Sequence, residues 1–324
     1  MSKITDYEKV TELVASNIFL IDGDNGTKTI LASNVAKALI GLLSSSDFIS
    51  GVTLSELTQV NALASGNKLL VGTSDGNKAI DAEDALFAIL DGFADSKLRR
   101  RVFRGKNLGT AVTAAQLAEI QAGTFKGMFL GDYWVIGGYN WRIWDFNYWY
   151  NAGDTVFTKP HLVIMPDTCL YTAQMNETNI TTGGYVGSVM YTKNLATAKT
   201  LISSAFGSAV LTHREYLTNA VSNGYPSGGS WYDSTVELPN EIMMYGSLVF
   251  TPAGDGSVVM NRYTIDKKQL ALAEIAPEFV NIRANYWLRD VVSSAIFARV
   301  GGDGGPSSAG ASTSYGVRPV FPIG

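Results

Sequence analysis

The sequence predicts an α+β protein, with small duplicated ββα units at the N-terminus and a larger domain of irregular loops after them. Three observations carry this expectation. The first part of the chain repeats itself. All 6 Trp and every Tyr except Tyr7 lie after residue 130, so the two parts differ in kind. The second part alternates short apolar runs with Gly-, Asn- and Thr-rich loops, a pattern of short strands and few helices rather than of regular βαβ units.

The repeat aligns without a gap. Asn17-Ile18-Phe19-Leu20-Ile21-Asp22 matches Asn67-Lys68-Leu69-Leu70-Val71-Gly72. Asn25-Gly26-Thr27-Lys28-Thr29-Ile30 matches Asp75-Gly76-Asn77-Lys78-Ala79-Ile80. Each copy reads as strand, turn, short strand and helix. Asn25-Gly26 and Asp75-Gly76 are hairpin signals, because a type I′ turn needs positive φ at both central residues. Ser33 and Glu83 stand where helices begin, and Val35, Ala38, Leu39 and Leu42 have helical spacing. Units of this size, about 10–45 and 57–95, bury little surface alone and are expected to pack on each other or on another chain. They define an N-terminal region, 1–98, ahead of a domain at 99–324.

Leu98-Arg99-Arg100-Arg101 is expected to be a solvated linker face. Thr113 caps a helix running through Ala114 to Ile120. Met128 to Trp144 reads as strands broken by Gly131, Gly137 and Gly138. Helices are expected at Ala196–Phe206, Arg214–Ser222 and Asp266–Ala273. Trp134, Trp141 and Trp144 are expected in the core. Tyr148, Trp149 and Tyr150 are adjacent, so on a strand they cannot all face inward, and at least one is expected at a surface.

The chain has 324 residues, 46% of them hydrophobic, and a formal net charge of −4. That length suggests two or three domains, and the hydrophobic content excludes wholesale disorder. The weak acidity argues against a nucleic-acid partner, which needs a basic face. No run of about 18 apolar residues suggests membrane insertion, and Met1 to Glu8 does not read as a signal peptide. Synthesis in a cytoplasm is therefore expected. The lone Cys169 is expected to be a buried small hydrophobe.

Chemical motifs are sparse. His161 and His213 have no further ligand at metal spacing, and no G-x-S-x-G elbow is present. Asp22-Gly23-Asp24-Asn25-Gly26 resembles a calcium loop, but Ser33 stands where an EF-hand needs Glu, and the hairpin turn accounts for the same residues. Gly301 to Gly305 lacks the Lys-Ser/Thr ending of a phosphate loop. Leu238-Pro239-Asn240-Glu241 is a weak calcium signal. No metal, cofactor or catalytic residue is expected.

The last segment is unlike the rest. Between Tyr286-Trp287-Leu288-Arg289 and Gly316-Val317-Arg318-Pro319 the chain is mostly Gly, Ser, Ala, Asp and Thr. Its residue types are largely those reachable from Asn codons by changing adenines. With Ser293-Ser294, Phe297, Val300, Ala309 and Phe321, this frame resembles the C-terminal lectin-like module of phage and prophage proteins rewritten by diversity-generating retroelements. Arg104 to Gly109, Gly127 to Trp149 and Gly224 to Asp233 are similar to gut-prophage members of that family. The likeness spans roughly Arg99 to Gly324.

The resemblance implies a C-type-lectin-like domain at 99–324 with a variable segment of about 285–315, and a non-enzymatic role as a phage receptor-binding or tail-fibre protein. Its partners would be a host-cell surface protein or glycan, other virion proteins through the N-terminal region, and further copies of itself, a trimer being favoured. Its location would be the virion, after synthesis in the bacterial host cytoplasm. Candidate ligand contacts are Asn285, Ile296, Ala298, Arg299, Gly301, Gly302, Asp303, Gly305, Pro306, Ser307, Ser308, Gly310, Ser312 and Tyr315. Trp287, Leu288, Arg289, Phe297, Val300, Val317, Arg318 and Phe321 would anchor the scaffold, the two arginines bonding to backbone carbonyls or a carboxylate. Two alternatives remain: an architectural virion protein, or a formylglycine-generating-type enzyme on the same fold. The enzyme needs a cysteine pair, and only Cys169 exists.

Overall fold

The computed structural model describes residues 18–21, 28–31, 68–73, 76–93, 95–252 and 268–324. The fold is mixed helix and sheet, and the chain divides into units Met1–Phe93 and Ala94–Gly324. The division falls before residue 98. Asp95 and the residues after it already belong to the second unit.

In the first unit β1 (Ile18–Ile21) runs antiparallel to β2 (Lys28–Leu31), with Ile18 opposite Leu31. β3 (Lys68–Thr73) runs antiparallel to β4 (Gly76–Asp81), and α1 (Ala82–Phe93) follows directly. Ala82, Ala85 and Phe87 are its buried positions. Glu83 and Asp84 lie in its first turn, where negative charge complements the helix dipole. Gly76 pairs with Thr73 and so opens β4 rather than centring the turn, one residue from the expected position. Asn25-Gly26, Ser33 and the helix expected through Val35, Ala38, Leu39 and Leu42 lie outside the described residues.

The second unit starts with α2 (Ser96–Arg99), capped by Asp95, whose Oδ1 accepts from Leu98 N at 2.8 Å. This corrects the reading of the basic cluster. Arg99 is fully buried and donates to Met128 O at 2.8 Å. Arg100 forms a two-bond ion pair with the buried Asp145. Of the three arginines only Arg101 is exposed, beside Glu274. Guanidiniums with this many donors can dock into a core wherever carbonyls and a carboxylate receive them.

α3 (Ala114–Gln121) begins at a full Thr113–Gln116 capping box. β5 (Tyr133–Ile136) and β6 (Tyr139–Phe146) are joined through Gly137 and Gly138, at φ 60° and 82°. β7 (Leu162–Pro166) and β8 (Tyr171–Gln174) follow, then a π-turn at Met190–Asn194 that runs into α4 (Leu195–Phe206).

Arg214–Ser222 is not a helix. It is β9 (His213–Ser222), paired with β10 (Tyr225–Ser234) as a ten-residue ribbon. The connecting Asn223-Gly224 has φ 51° and 80°, the backbone a tight hairpin demands. α5 (Glu241–Tyr245) is capped by Asn240, and α6 (Ala271–Ile275) is shorter than the expected Asp266–Ala273, because Leu270 takes the N-cap position. Asp266 and Lys267 lie outside the described residues. β11 (Tyr286–Val291), β12 (Ile296–Val300), β13 (Pro306–Gly310), β14 (Ser314–Val317) and β15 (Phe321–Ile323) complete the chain.

Besides the ribbon, two sheets organise this unit. One has the order β15-β7-β6-β5 and the other β13-β12-β11-β14-β8. Trp134, Trp141 and Trp144 are buried in the common core, and Trp141 meets Phe206 and Phe321 at ring distances of 5.5 and 5.8 Å. Tyr148 and Trp149 are buried while Tyr150 is exposed. All three lie in a turn rather than a strand, so adjacent side chains can share a side. Cys169 is half-buried rather than buried.

Candidate binding surface

The framed segment supplies β11, β12, β13 and β14, four strands of the five-stranded sheet. Its two ends meet. β14 lies parallel to β11 with Gly316 beside Tyr286, and Gly316 N donates to Asn285 O at 3.0 Å. Only glycine fits at 316, because a Cβ there would collide with the Cys169 sulfur.

Buried groups hold both ends. Trp287, Leu288, Arg289, Phe297, Val300, Val317, Arg318 and Phe321 are all fully buried. Trp287 donates its indole N–H to Ala173 O at 2.9 Å. Arg318 donates to Pro166 O at 2.8 Å, Phe279 O at 2.9 Å and the Tyr286 hydroxyl at 3.2 Å. Arg289 reaches Glu215 on the ribbon, Nη2 to Oε1 at 2.6 Å. The other Glu215 oxygen meets His213 Nε2 at 2.5 Å. Burial pushes the Glu215 carboxyl up, but the Arg289 guanidinium and His213 outweigh it and hold the group below its ordinary range. A paired charge of this kind tolerates burial where an isolated one does not.

His161 and His213, far apart in sequence, flank the Trp149 ring at 5.8 and 4.2 Å. His161 accepts from Trp149 N at 3.1 Å and faces Lys159 O with Nδ1 at 2.9 Å, which sets a neutral ring protonated at Nδ1. Burial is the main reason its pKa falls to about 3, and His213 and Lys268 lower it further. The His213–Glu215–Arg289 chain is buried and ties β9 to β11. Sequence reading missed Glu215 because a helix was expected there. As a strand, His213 and Glu215 stand two apart and share a face.

Between the anchors lies a graded surface. Along β12 and β13, Ile296 pairs with Gly310, Ala298 with Ser308, Arg299 with Ser307 and Val300 with Pro306. Asp303 and Pro306 are exposed; Asn285, Ile296, Arg299, Gly302, Gly305, Ser307, Ser308, Gly310, Ser312 and Tyr315 are partly exposed. Two expected contacts are not surface. Ala298 packs into the core on the side of β12 opposite Arg299. Gly301 is buried in the turn that Gly301 N closes on Gly305 O at 2.7 Å, with the Asp303 carboxylate filling the place of a side chain.

Loops from outside the segment support it. Asn179 Oδ1 accepts from Ser312 N and Oγ at 3.0 and 2.8 Å. At the centre, the Arg299 guanidinium lies over the Tyr315 ring, 4.8 Å from its centroid, and Tyr315 meets Trp287 edge-on at 5.1 Å. Arg299 also donates to Asn285 Oδ1 at 2.5 Å.

Pro239-Asn240-Glu241 serves the fold. Asn240 caps α5, and the buried Glu241 carboxylate accepts from Val249, Phe250 and Thr251 N at 2.9, 2.9 and 3.1 Å. No group of three or more metal-ligating side chains occurs among the described residues, and no helix there is long and apolar enough to cross a membrane. Comparison with protein-family models, curated proteins and solved structures finds no match to this chain.

Proposed function

We propose that the protein is a receptor-binding or tail-fibre protein of a phage or prophage virion, with a C-type-lectin-like domain displaying a diversifiable surface to a host-cell ligand. The observation that carries this reading is the division of labour in the framed segment. Large side chains and both arginines at its ends are buried, whereas most of the small and polar residues between them reach the surface. Surface substitutions usually cost within about ±0.5 kcal/mol, so such a surface can change while the fold persists. The hairpin β3–β4 with α1 and the hairpin β1–β2 support duplicated ββα units as the region that attaches to the particle. Many copies on one particle would add avidity to modest single-site affinity.

The test pairs two readouts, melting temperature and attachment to host cells. Replacing Arg299, Asp303, Ser307 and Tyr315 together is expected to abolish or redirect attachment while the domain stays folded. Unfolding by that change, or unchanged attachment, would overturn the reading. Sequencing the gene's surroundings gives an independent check: a template copy differing only at adenines, beside a reverse transcriptase gene, is expected.

A further inference from the structure

The ligand chemistry of this surface can be read from the state of its one arginine. Arg299 stands on β12 directly opposite Trp287 on one side and Ser307 on the other. Ring, amide and strand hold it in place: Tyr315 lies beneath the guanidinium, Asn285 Oδ1 takes one Nη1 proton, and Ser308 O takes the Nε proton at 3.4 Å. A guanidinium carries five N–H groups, and these two bonds leave about three of them without an acceptor among the described residues. Among the described residues no carboxylate forms an ion pair with it. Asp303, the exposed acidic residue of the segment, instead turns its carboxylate onto Gly305 N at 3.0 Å and closes the Gly301–Gly305 turn.

The surroundings do not favour a neutral sugar. Stacking on a sugar needs an open aromatic face, and Tyr315 is the one partly exposed aromatic residue among positions 285–315. Its face carries Arg299 and it packs edge-to-face with the buried Trp287. A second cation, the exposed Arg283, lies on the chain just before Asn285, and Gly302 borders both residues. The local charge is therefore positive in a chain of net charge −4. A fixed planar fork with free donors suits a planar anion, which accepts two parallel N–H bonds.

Resting on the display reading above, we infer that the surface engages an acidic protein segment, with Arg299 receiving an Asp or Glu carboxylate. Arg299 is thus the specificity-determining contact of this copy of the surface, and Tyr315 and Asn285 position it.

The experiment uses the full chain and a hexaglutamate peptide as probe, followed by the side-chain N–H resonance of Arg299 and by calorimetry. Methyl glucuronide and methyl glucoside are the comparison probes. Saturable binding of hexaglutamate that shifts the Arg299 signal and weakens with salt is expected. R299Q and R299K should each weaken it by about tenfold or more, because neither retains the charged planar fork. S307E keeps the arginine but places a carboxylate opposite it, so it should also block the peptide. Thermal melts of each variant separate loss of binding from loss of fold. The inference is overturned if hexaglutamate does not bind, if R299Q binds it as well as the parent, or if a glycoside binds in its place. Should the peptide fail while the four-residue change still abolishes cell attachment, the display reading stands and only the ligand class falls. Peptide binding at Arg299 with cell attachment untouched would support the carboxylate site and sink the display reading.

Discussion

Single residues separate anchoring from display. Trp287→Ala removes a fully buried ring and its bond to Ala173 O, so a loss of about 3–5 kcal/mol is expected from denaturant unfolding. Tyr315→Ser removes a half-buried ring under Arg299, and about 1 kcal/mol is expected. His161 makes stability depend on pH. Its folded pKa of about 3 lies below the unfolded value, so between pH 6.5 and 3 the unfolded chain binds the proton that the folded one refuses. Stability is complete above pH 6.5 and falls as pH drops towards 3, by on the order of 2 kcal/mol at pH 5. Glu215, also held low, adds a loss of the same sign below its unfolded range. His161→Gln should flatten the slope of unfolding free energy between pH 5 and 6.5; an unchanged slope would show that His161 is not its source. That most residues between Trp287, Arg289 and Arg318 reach the surface was legible from that frame. That Ala298 and Gly301 are covered was not, because burial of a methyl or a bare Cα depends on strand neighbours far along the chain.

At the scale of elements, local signals worked where a turn or cap fixed the backbone. Thr113 and Gln116 announced α3, and Gly137-Gly138 announced the β5–β6 turn. The ribbon departs from the helix expected over Arg214–Ser222, although Asn223-Gly224 is as strong a hairpin signal as the others. Gly224 also lies against Ser294 N in the β11–β12 turn, where an added Cβ would stand 3.3 Å away. Gly224→Ala should therefore cost about 1 kcal/mol or more, since it meets both positive φ and a close backbone. Equal melting temperatures for variant and parent would argue against the tight turn. The Arg100–Asp145 pair was illegible for a different reason: nothing local distinguishes arginines that dock from arginines that stay in water.

For the whole molecule, the division before Ala94 predicts that residues 94–324 fold alone, with one cooperative transition close to that of the same unit in the full chain. Loss of cooperativity in the isolated unit would mean that it leans on the N-terminal region. The proposed assembly predicts that the full chain is a trimer by light scattering at micromolar concentration; a monomer there would contradict it. The parallel contact between Asn285 and Gly316 has a consequence for inheritance. A stretch that leaves and re-enters a scaffold at one point behaves as a cassette, free to change in length as well as in spelling. Closing a longer loop costs little, about 0.6 kcal/mol for each doubling. Insertions of a few residues at the Asp303 turn should then be carried with little change in melting temperature, and whole loops could be exchanged between relatives. The one strict rule of such an exchange would be its stop signal: nothing but glycine can be written at 316, where the thiol of Cys169 occupies the space of any side chain.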